Sequence, residues 1–443
     1  MPAGKEIPGP GLLESTRRLY PFPFQALPSF LCELTDRYGD IAAFRLPGRR
    51  LIVANHPQQI RDVLVTQQDA FVKSPGTRTL RLIVGDGLLT SEEPHHRIMR
   101  RIVQPAFHRP RIENYARTMR ELTLEWAAAR ADGERFDLHA AMSELTFTVA
   151  CQTLFGTDTS SQADDVRDAL HALLEGYSHA VGPIGAVLRA VGLLPGSRAI
   201  DAATRKLDGI IDALIGARRA HPSARTDALS LLLAAEDDLT GQRLTDRELR
   251  DEAKTLMLAG HATTANALVW TLVLLAQHPE IQARMLAEID AANEGDPPFA
   301  FVESLPFTRR VLREAMRLYP PAWLIGREST RAVELAGGYR LAARTTVFIC
   351  PLALHRRSAF YPEPLRFDPD RWERDDVPAF AYVPFGGGAR RCLGEEFALT
   401  EATLVLATLG RRMRFELEGD PPQSEALVTL RPKGAVPVRA ALR

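Results

Sequence analysis

The ten residues Phe385–Gly394, which read FGGGARRCLG, constrain this chain more than any other stretch. Glycine has no Cβ atom, so a flat ligand can lie directly against the backbone of Gly386–Gly388. Arg390, Arg391 and the turn before the next helix would stabilise Cys392 as a thiolate. A thiolate held beside a flat ligand is typical of an axial ligand to haem iron. The alternative is a buried and inert cysteine after a glycine turn.

The spacing within this stretch favours the haem ligand. Phe385, Gly388, Arg390, Cys392 and Gly394 fit the pattern F-x-x-G-x-R-x-C-x-G at every specified position. That pattern is the haem-binding signature of the cytochrome P450 monooxygenases, and the chain resembles this family over essentially its whole length. The resemblance implies that Cys392 ligates the iron of haem b (iron protoporphyrin IX). It also implies haem contacts from Phe385, Gly386, Gly388 and Gly394.

The resemblance implies a fold as well. It is a mainly α fold with small β-sheets (α+β), in which a single large helical domain spans residues 1–443. The haem would lie between a long central helix and the helix after the cysteine loop. The stretch that follows Cys392 is too short for another domain, so we expect no fused reductase.

Charge and cysteine usage exclude several other classes of protein. The chain has 55 Lys and Arg against 55 Asp and Glu in 443 residues, so global charge gives no indication of a nucleic-acid or anionic-membrane partner. Its four cysteines form no C-x-x-C pair and no zinc spacing with histidine, so neither a disulfide framework nor a structural metal is predicted. Met1–Pro10 lacks a long apolar run, which indicates no membrane anchor. We expect a soluble, cytoplasmic monomer of the bacterial type.

The N-terminal part predicts a small sheet. A helical pattern surrounds Phe30–Tyr38. Two short apolar runs follow on either side of a Pro47–Gly48 turn, Ile41–Leu46 and Arg50–Ala54, and this arrangement predicts a β-hairpin. From Phe71 to Thr90 the helical period is lost, which predicts a long irregular segment.

By resemblance, that irregular segment is the loop over the substrate. Arg78 and Arg81 are the strong charges in its middle. They could hold a substrate carboxylate, but we expect solvated surface arginines. The pocket residues implied in this segment are Leu82, Ile83 and Leu88.

A pair of basic residues follows this segment. His96 and Arg100 are four residues apart and would share one face of a helix. They match positions at which the family binds a haem propionate. A metal site at His95 and His96 is not favoured, because adjacent residues point apart on a helix.

From Arg111 to Ala235 the sequence is almost entirely amphipathic helix. By resemblance, the substrate channel lies under the helices on either side of a break at Leu194–Ser197. Their apolar residues suggest an apolar ligand, although core packing explains them equally well: Leu173, Leu174, Tyr177, Val181, Ile184, Val187 and Leu188.

A long helix carries the second motif. Thr245 and Glu248 fit a capping box, and helical patterning continues to about Gln277. Near its middle, Ala259–Thr264 (AGHATT) resembles the oxygen-binding groove of the family, A/G-G-x-D/E-T-T/S. Thr263 matches the alcohol that delivers protons. The other implied groove residues are Ala259, Gly260, Ala262 and Thr264, and Leu258 would line the substrate pocket.

This chain departs from the family pattern at Ala262, where an aspartate or glutamate is usual. Alanine cannot carry a proton or hold a water molecule by a side-chain oxygen. Three substitutes are conceivable: waters ordered by Thr263 and Thr264, a hydroxyl group on the substrate, or a relay from Glu252. We favour the waters. His261 is expected to point away from the iron rather than to relay protons.

Three further residues match the family's buried charge cluster. Glu314 and Arg317 are three residues apart on one helix and can pair. Arg371, in the sequence FDPDRW, matches the arginine that completes the cluster. By resemblance its role is structural and supports the cysteine loop.

The remaining site residues are implied by the resemblance. Arg327 and His355 would join Arg100 and Arg390 in neutralising the haem propionates. Ala322, Trp323, Leu324, Leu427 and Val428 would line the substrate pocket. Strand patterns are predicted at Arg331–Glu334 and Thr345–Ile349, and a helix is predicted after Gly394, through Leu409.

Together these features predict a haem-thiolate monooxygenase. It would insert one atom of O2 into a C–H or C=C bond of a small apolar substrate: a fatty acid, terpenoid, steroid or macrocycle. Electrons would come from NAD(P)H through a separate ferredoxin and ferredoxin reductase, or a flavodoxin, docking near Arg97, Arg101 and Arg390. The alternatives are a peroxide-driven or rearranging haem-thiolate enzyme, motivated by Ala262, and a haem-based sensor.

Overall fold

The structure is a computed structural model. It describes residues 5–19, 26–46, 49–156, 165–166, 169, 172–173, 177, 197–221, 227–374 and 376–443. The chain packs as two compact units. The first contains Met1–Arg78, Arg313–Cys392 and Ser424–Arg431; the second contains Thr79–Leu312, Leu393–Gln423 and Pro432–Arg443. The expectation of a single domain remains a prediction.

The first unit is built on a five-stranded sheet. Its strand order is Ile41–Leu46, Arg49–Ala54, Thr346–Ile349, Ile325–Ser329 and Phe71–Lys73. The first two strands are antiparallel and form the predicted hairpin, although the Pro47–Gly48 turn lies outside the described residues. Arg49–Ala54 and Thr346–Ile349 are parallel, and the other two pairings are antiparallel.

Both faces of this sheet are covered. Successive side chains of a strand point to opposite faces. Ile41 and Ile52 accordingly belong to one buried cluster, and Phe44 and Val53 to another. Burial on both faces explains why these strands read as nearly continuous apolar runs.

Short helices and two small strand pairs complete the first unit. The strand pairs are Val333–Leu335 with Tyr339–Leu341, and Ser424–Ala426 with Leu430–Pro432. The strand predicted at Arg331–Glu334 therefore begins two residues later than expected. The helices are Leu12–Leu19, Leu27–Tyr38, Pro57–Arg61, Pro75–Thr79 at the boundary with the second unit, and Pro351–Leu354.

The prediction of an irregular segment from Phe71 to Thr90 is wrong in part. It contains the edge strand Phe71–Lys73 and the helices Pro75–Thr79 and Arg81–Val84. Each element is too short to show a period in the sequence, and Gly85 ends the last of them.

The second unit is mainly helical. A three-stranded antiparallel sheet, in the order Arg135–Asp137, Pro437–Leu442 and Met413–Leu417, packs beside the helices. Pro306–Leu318 begins in this unit and ends in the first. The other helices are His95–Val103, Arg109–Ala128, Leu138–Phe155, Ser197–Ala220, Ala228–Ala234, Asp246–Gln277, Pro279–Ala291, Pro298–Glu303 and Glu395–Arg412. Of the apolar channel residues predicted between 173 and 188, the structure describes only Leu173 and Tyr177.

The helix Asp246–Gln277, called the long helix below, confirms the prediction from its capping box. The Thr245 side chain accepts from the Glu248 N–H group, and the Glu248 side chain accepts from the Thr245 N–H group. With 32 residues at about 1.5 Å each, the helix is roughly 48 Å long. It is long and apolar enough to cross a membrane, but 78% of its apolar window is buried, as in a core helix.

Candidate functional site

The cysteine loop lies in the first unit and is held by its own backbone. The Cys392 N–H group donates to the Phe385 carbonyl at 2.9 Å, and the Arg391 N–H group donates to the Gly388 carbonyl at 3.1 Å. Cys392 is exposed at the surface of the chain. The loop therefore keeps Cys392 out of the buried core.

Gly388 is required for a reason that the sequence did not show. It has a φ of 68°, and a Cβ atom there would lie 1.8 Å from the Leu64 carbonyl oxygen. The Ala389 N–H group donates to Gln68 Oε1 at 2.9 Å. Close approach of the loop to residues 64–68, and not only room for a flat ligand, therefore explains this glycine. Gly386 is less crowded, because its nearest neighbour would be Ile325 Cδ1 at 3.9 Å.

The structure brings Glu314, Arg317 and Arg371 together in a buried cluster of the first unit. Arg317 donates to both carboxylate oxygens of Glu314 at 2.8 Å, and Arg371 Nε donates to Oε1 at 3.0 Å. The same carboxylate accepts from the Asp368 N–H group and from Trp372 Nε1, both at 3.0 Å. All three charged side chains are almost completely buried. A buried carboxylate is tolerated here because its hydrogen-bonding capacity is filled.

His355 joins this cluster to the cysteine loop. Its carbonyl accepts from Arg317 Nη1 at 2.8 Å, and its Nε2 accepts from the Val383 N–H group at 3.0 Å. The Val383 carbonyl in turn accepts from the Gly386 N–H group at 3.1 Å. Burial lowers the pKa of His355 to about 3, so the imidazole is neutral. These contacts indicate a structural function, and its predicted role at a haem propionate remains a prediction.

The other predicted site residues of the first unit differ in their exposure. Arg327 is half-buried in the strand Ile325–Ser329, and Arg390 is half-buried in the cysteine loop. Ala322 is exposed, and Leu324, Leu427 and Val428 are half-buried, so all four are accessible to a ligand.

Trp323, which was predicted to line the substrate pocket, lies in the core instead. It is 1% exposed and lies in a core cluster with Phe44 and Leu430. Its indole Nε1 donates to the Leu427 carbonyl at 2.9 Å. Trp323 therefore positions the Leu427 turn from within the core.

In the second unit, the helix His95–Val103 places His96 and Arg100 one turn apart. His96 is buried, and its Nδ1 lies 3.1 Å from Glu93 Oε1. Arg100 is half-buried. Binding of a propionate by either side chain remains a prediction.

Arg101, which was predicted to take part in docking, is paired within the protein. It makes two hydrogen bonds to the Asp237 carboxylate, at 2.6 and 2.9 Å. This pairing holds the pKa of Asp237 below its usual range. Arg97, whose side chain is 73% exposed, is more accessible to a partner.

The long helix opens to solvent near its middle. Residues on both sides, 249–258 and 264–275, are mostly buried, but Ala259 is exposed and Gly260, Ala262 and Thr263 are half-buried. We call the four accessible residues Ala259, Gly260, Ala262 and Thr263 the accessible window. The Thr263 hydroxyl donates to the Ala259 carbonyl at 2.8 Å, as expected for threonine inside a helix. Small side chains and one hydroxyl are therefore accessible in an otherwise buried helix.

His261 faces away from the window. It is buried, its Nδ1 lies 2.8 Å from the Met257 carbonyl, and its ring packs edge-on against Phe147 at 5.4 Å. Burial lowers the pKa of His261, so the ring is a neutral packing group. This placement agrees with the predicted orientation.

Two acids of the long helix anchor the loop that precedes His95. Glu252 Oε2 accepts from the Leu88 N–H group at 2.8 Å, and Asp251 Oδ2 accepts from the Asp86 N–H group at 2.9 Å. Glu252 is completely buried. The contact gives Glu252 an anchoring role in addition to the proton relay considered from the sequence.

Loop residues near this anchor only partly match their predicted role. Leu82 is exposed and Leu88 half-buried, whereas Ile83 and Leu258 are buried in the core. Arg78 pairs with Glu328 at 2.8 Å, and Arg81 donates to the Thr90 carbonyl at 3.0 Å. Both arginines already have protein partners, which disfavours a dedicated carboxylate site.

Sequence reasoning missed one acid, Glu401. It lies in the helix Glu395–Arg412, is completely buried, and faces Thr264 of the long helix. The signal was available, because Glu401 is the only charged residue between Phe397 and Gly410.

The side chains present fit a haem. The accessible thiol of Cys392 is a suitable iron ligand, and Arg100, Arg327 and Arg390 are half-buried cations suited to carboxylates. The accessible window carries no charged side chain. These are the properties of a haem-thiolate protein with an apolar substrate side.

Comparison with known proteins agrees with this class. A family model described as cytochrome P450 matches residues 17–437. A solved structure, the crystal structure of the cytochrome P450DA heme domain, superposes with a TM-score of 0.89 at 28% identity and covers 99% of this chain and 98% of that chain. The chain belongs to the cytochrome P450 family, and the predicted mainly helical fold with small sheets is confirmed.

Three Streptomyces relatives narrow the class further. Cyclooctatin synthase of Streptomyces melanosporofaciens is 39% identical over 94% of this chain and 89% of that protein. Cyclooctat-9-en-7-ol 5-monooxygenase of the same organism is 36% identical, covering 91% and 87%. Pentalenene oxygenase of Streptomyces avermitilis is 36% identical, covering 86% of each. The protein is a bacterial-type P450 monooxygenase, an oxidoreductase that incorporates oxygen.

Proposed function

We propose that the protein oxygenates a cyclic terpenoid, inserting one atom of O2 into a C–H or C=C bond of a largely hydrocarbon skeleton. The observation that carries this proposal is the similarity to the three Streptomyces enzymes over more than four-fifths of the chain. One of their names specifies an unsaturated alcohol as substrate and another an unsaturated hydrocarbon. The uncharged accessible window supports an apolar substrate.

Each residue would have a limited task in this reaction. By sequence match, Cys392 would hold the haem iron, and His96, Arg100, Arg327 and Arg390 are the candidates for its propionates. When bound, the haem supplies the centre at which dioxygen is reduced, with the thiolate favouring O–O cleavage. The small residues of the accessible window leave room for substrate, and the Thr263 hydroxyl would hold a proton on that side of the helix.

Electrons would come from NAD(P)H through separate proteins, a ferredoxin and its reductase or a flavodoxin. Arg97 supports docking of an acidic partner, because its side chain is 73% exposed although its Nε lies 3.4 Å from Glu93 Oε2. We propose that this chemistry takes place in the cytoplasm, by a monomer.

One observation favours a second function. Ala262 leaves the oxygen-binding groove without its usual acid, which would suit an enzyme that uses peroxide or rearranges an oxygenated substrate. The two functions are separated by comparing turnover on peroxide alone with turnover on NADPH, ferredoxin and reductase. Formation of an oxidised or rearranged product under either condition distinguishes both functions from a haem sensor.

The substrate class is tested by titrating the haem-loaded protein with candidate ligands. Polycyclic terpene hydrocarbons and alcohols should displace the iron-bound water and shift the haem spectrum, whereas a long-chain fatty acid serves as the control. A shift with fatty acids or steroids and none with cyclic terpenoids would overturn the proposed substrate.

A further inference from the structure

A pocket of about 510 Å³ opens at one end of the five-stranded sheet of the first unit. Arg49, at the start of one strand, and Thr346, at the start of the parallel strand beside it, line this pocket together with Glu328 near the end of Ile325–Ser329. Pockets that hold small organic ligands have volumes of about 300–1,000 Å³. No residue of the cysteine loop lines the pocket, so it is a candidate for a separate ligand site.

The charges that line this pocket are mostly positive, in a chain whose formal net charge is zero. One acid lines it, Glu328, and its carboxylate already accepts from Arg78 at 2.8 Å. The other charged lining residues are four arginines: Arg49, Arg50, Arg340 and Arg344. Arginine presents a planar fork of N–H donors that matches the oxygens of a phosphate or a carboxylate. We call this feature the arginine pocket.

Three of these arginines have no acidic partner among the described residues: Arg49, Arg50 and Arg344. Exposed arginines elsewhere in the first unit do have one. Arg331 pairs with Asp69 and Arg366 pairs with Glu363, both at 2.9 Å. Like charges that line one pocket repel each other, and an anion bound between them replaces this repulsion by attraction. The arginine pocket therefore has the charge of an anion site.

The backbone at Arg344 gives an independent indication of function. Its φ is 62°, a left-handed conformation that glycine adopts freely and other residues adopt at a cost. The turn is fixed in this shape by Ser329. The Arg344 N–H group donates to the Ser329 carbonyl at 2.7 Å, and the Thr345 N–H group donates to Ser329 Oγ at 3.0 Å. Because strained residues are concentrated at functional sites, an arginine at a position that favours glycine indicates a role for its guanidinium group.

The charge and the lining of the pocket define the class of ligand. A phosphoryl group carries a charge of about −1.5 to −2 on three acceptor oxygens, so a phosphate or diphosphate concentrates more charge in a small volume than a carboxylate does. Ile52 and Leu341 are buried residues that also line the pocket, and they provide apolar surface for an organic part of the ligand.

We propose that the arginine pocket binds a small organic phosphate or diphosphate, whose phosphate oxygens accept hydrogen bonds from Arg49, Arg50 and Arg344. The inference goes beyond the proposed oxygenation and does not depend on it, because neither the haem nor the oxygenated substrate enters the argument.

Isothermal titration calorimetry of the haem-loaded protein, with inorganic diphosphate as the probe, tests the site directly. Wild type should bind one diphosphate per chain. Citrate is the comparison anion, because it spreads its charge over three separate carboxylates, and it should bind more weakly. Equal binding of citrate and diphosphate would mean that the arginines attract any anion, which contradicts a phosphate site.

Arg344→Gly separates ligand binding from folding. Glycine relieves the left-handed backbone, so the Tm should stay the same or rise. Loss of the guanidinium group should weaken diphosphate binding about tenfold or more, since hydrogen bonds to charged groups are among the stronger ones. An unchanged Kd in this variant would overturn the proposal.

Two further variants test whether the arginine fork, and not charge alone, binds the ligand. Arg50→Lys keeps the charge but loses the fork, so it should weaken diphosphate binding severalfold. Arg61→Gln is the matched control, because Arg61 is an exposed arginine of the helix Pro57–Arg61 that does not line the pocket. It should leave the Kd unchanged, and a loss equal to that of Arg344→Gly would contradict the assignment.

A sedimentation experiment distinguishes a free phosphate compound from the headgroup of a lipid. Vesicles of phosphatidylglycerol and phosphatidylcholine should not carry wild type into the pellet. Binding of these vesicles without binding of free diphosphate would assign the arginines to a membrane surface and overturn the proposal. All of these measurements are made without turnover, so a protein that oxidises no terpenoid would refute the proposed function and leave the diphosphate result standing.

Discussion

Replacing Glu314 by alanine should destabilise the first unit more than the loss of any surface ion pair. The carboxylate accepts hydrogen bonds from Arg317, Arg371, Trp372 and the Asp368 backbone. Its removal leaves two buried guanidinium groups without their counter-ion, and breaking a buried pair in this way costs about 3–5 kcal/mol. That is a large fraction of the roughly 5–15 kcal/mol by which native proteins are stable.

The assay is urea unfolding followed by tryptophan fluorescence, together with haem content from absorbance. Trp372 reports on the cluster directly, because its indole donates to Glu314 at 3.0 Å. Glu334→Ala is the matched control, since it removes an exposed pair with Arg340 and should cost less than about 1 kcal/mol. Glu314→Ala should yield haem-free or misfolded protein. If it kept its haem and unfolded at the same urea concentration as Glu334→Ala, the argument from burial would be refuted.

Three other perturbations give separate expectations. Gly388→Ala should lower the free energy of unfolding by about 1–2 kcal/mol for its left-handed backbone, and by more because the new Cβ atom overlaps the Leu64 carbonyl oxygen. Its unfolding midpoint should therefore fall well below that of Gly434→Ala, where the glycine has a φ of 79° and open space around it. Arg101→Ala should destabilise the protein at pH values above 3.8, the usual pKa of the Asp237 carboxyl, because the ion pair is complete there. The difference in Tm from wild type should shrink as the pH falls below that value, and a constant difference would contradict the pairing. Arg97→Glu should raise the Kd for an acidic ferredoxin most at low ionic strength, and an unchanged Kd would argue against docking there.

The sequence predicted best what depends on neighbouring residues. The capping box at Thr245 and the helical patterning to about Gln277 predicted the long helix, and two short apolar runs on either side of a Pro-Gly turn predicted the first hairpin. The spacing of Glu314 and Arg317 indicated a pair on one helix, which the structure contains.

Features that depend on distant contacts were missed. Gly388 is required because the Leu64 carbonyl approaches it, and Trp323 is buried in a core cluster with Phe44 and Leu430. Arg101 could not be recognised as paired, because Asp237 is 136 residues away in the chain. The apolar neighbours of Glu401 were visible in the sequence, but its complete burial depends on packing against the long helix.

The central claim is that Cys392 binds the haem iron as a thiolate, and the carbonyl complex of the reduced protein tests it most directly. Wild type should give the absorption spectrum of a thiolate-ligated haem, and Cys32→Ser, at a half-buried position away from the signature, should keep it. Cys392→Ser should lose that spectrum and the oxidation of substrate together. An unchanged carbonyl spectrum in Cys392→Ser, with the same compounds still oxidised, would contradict the account.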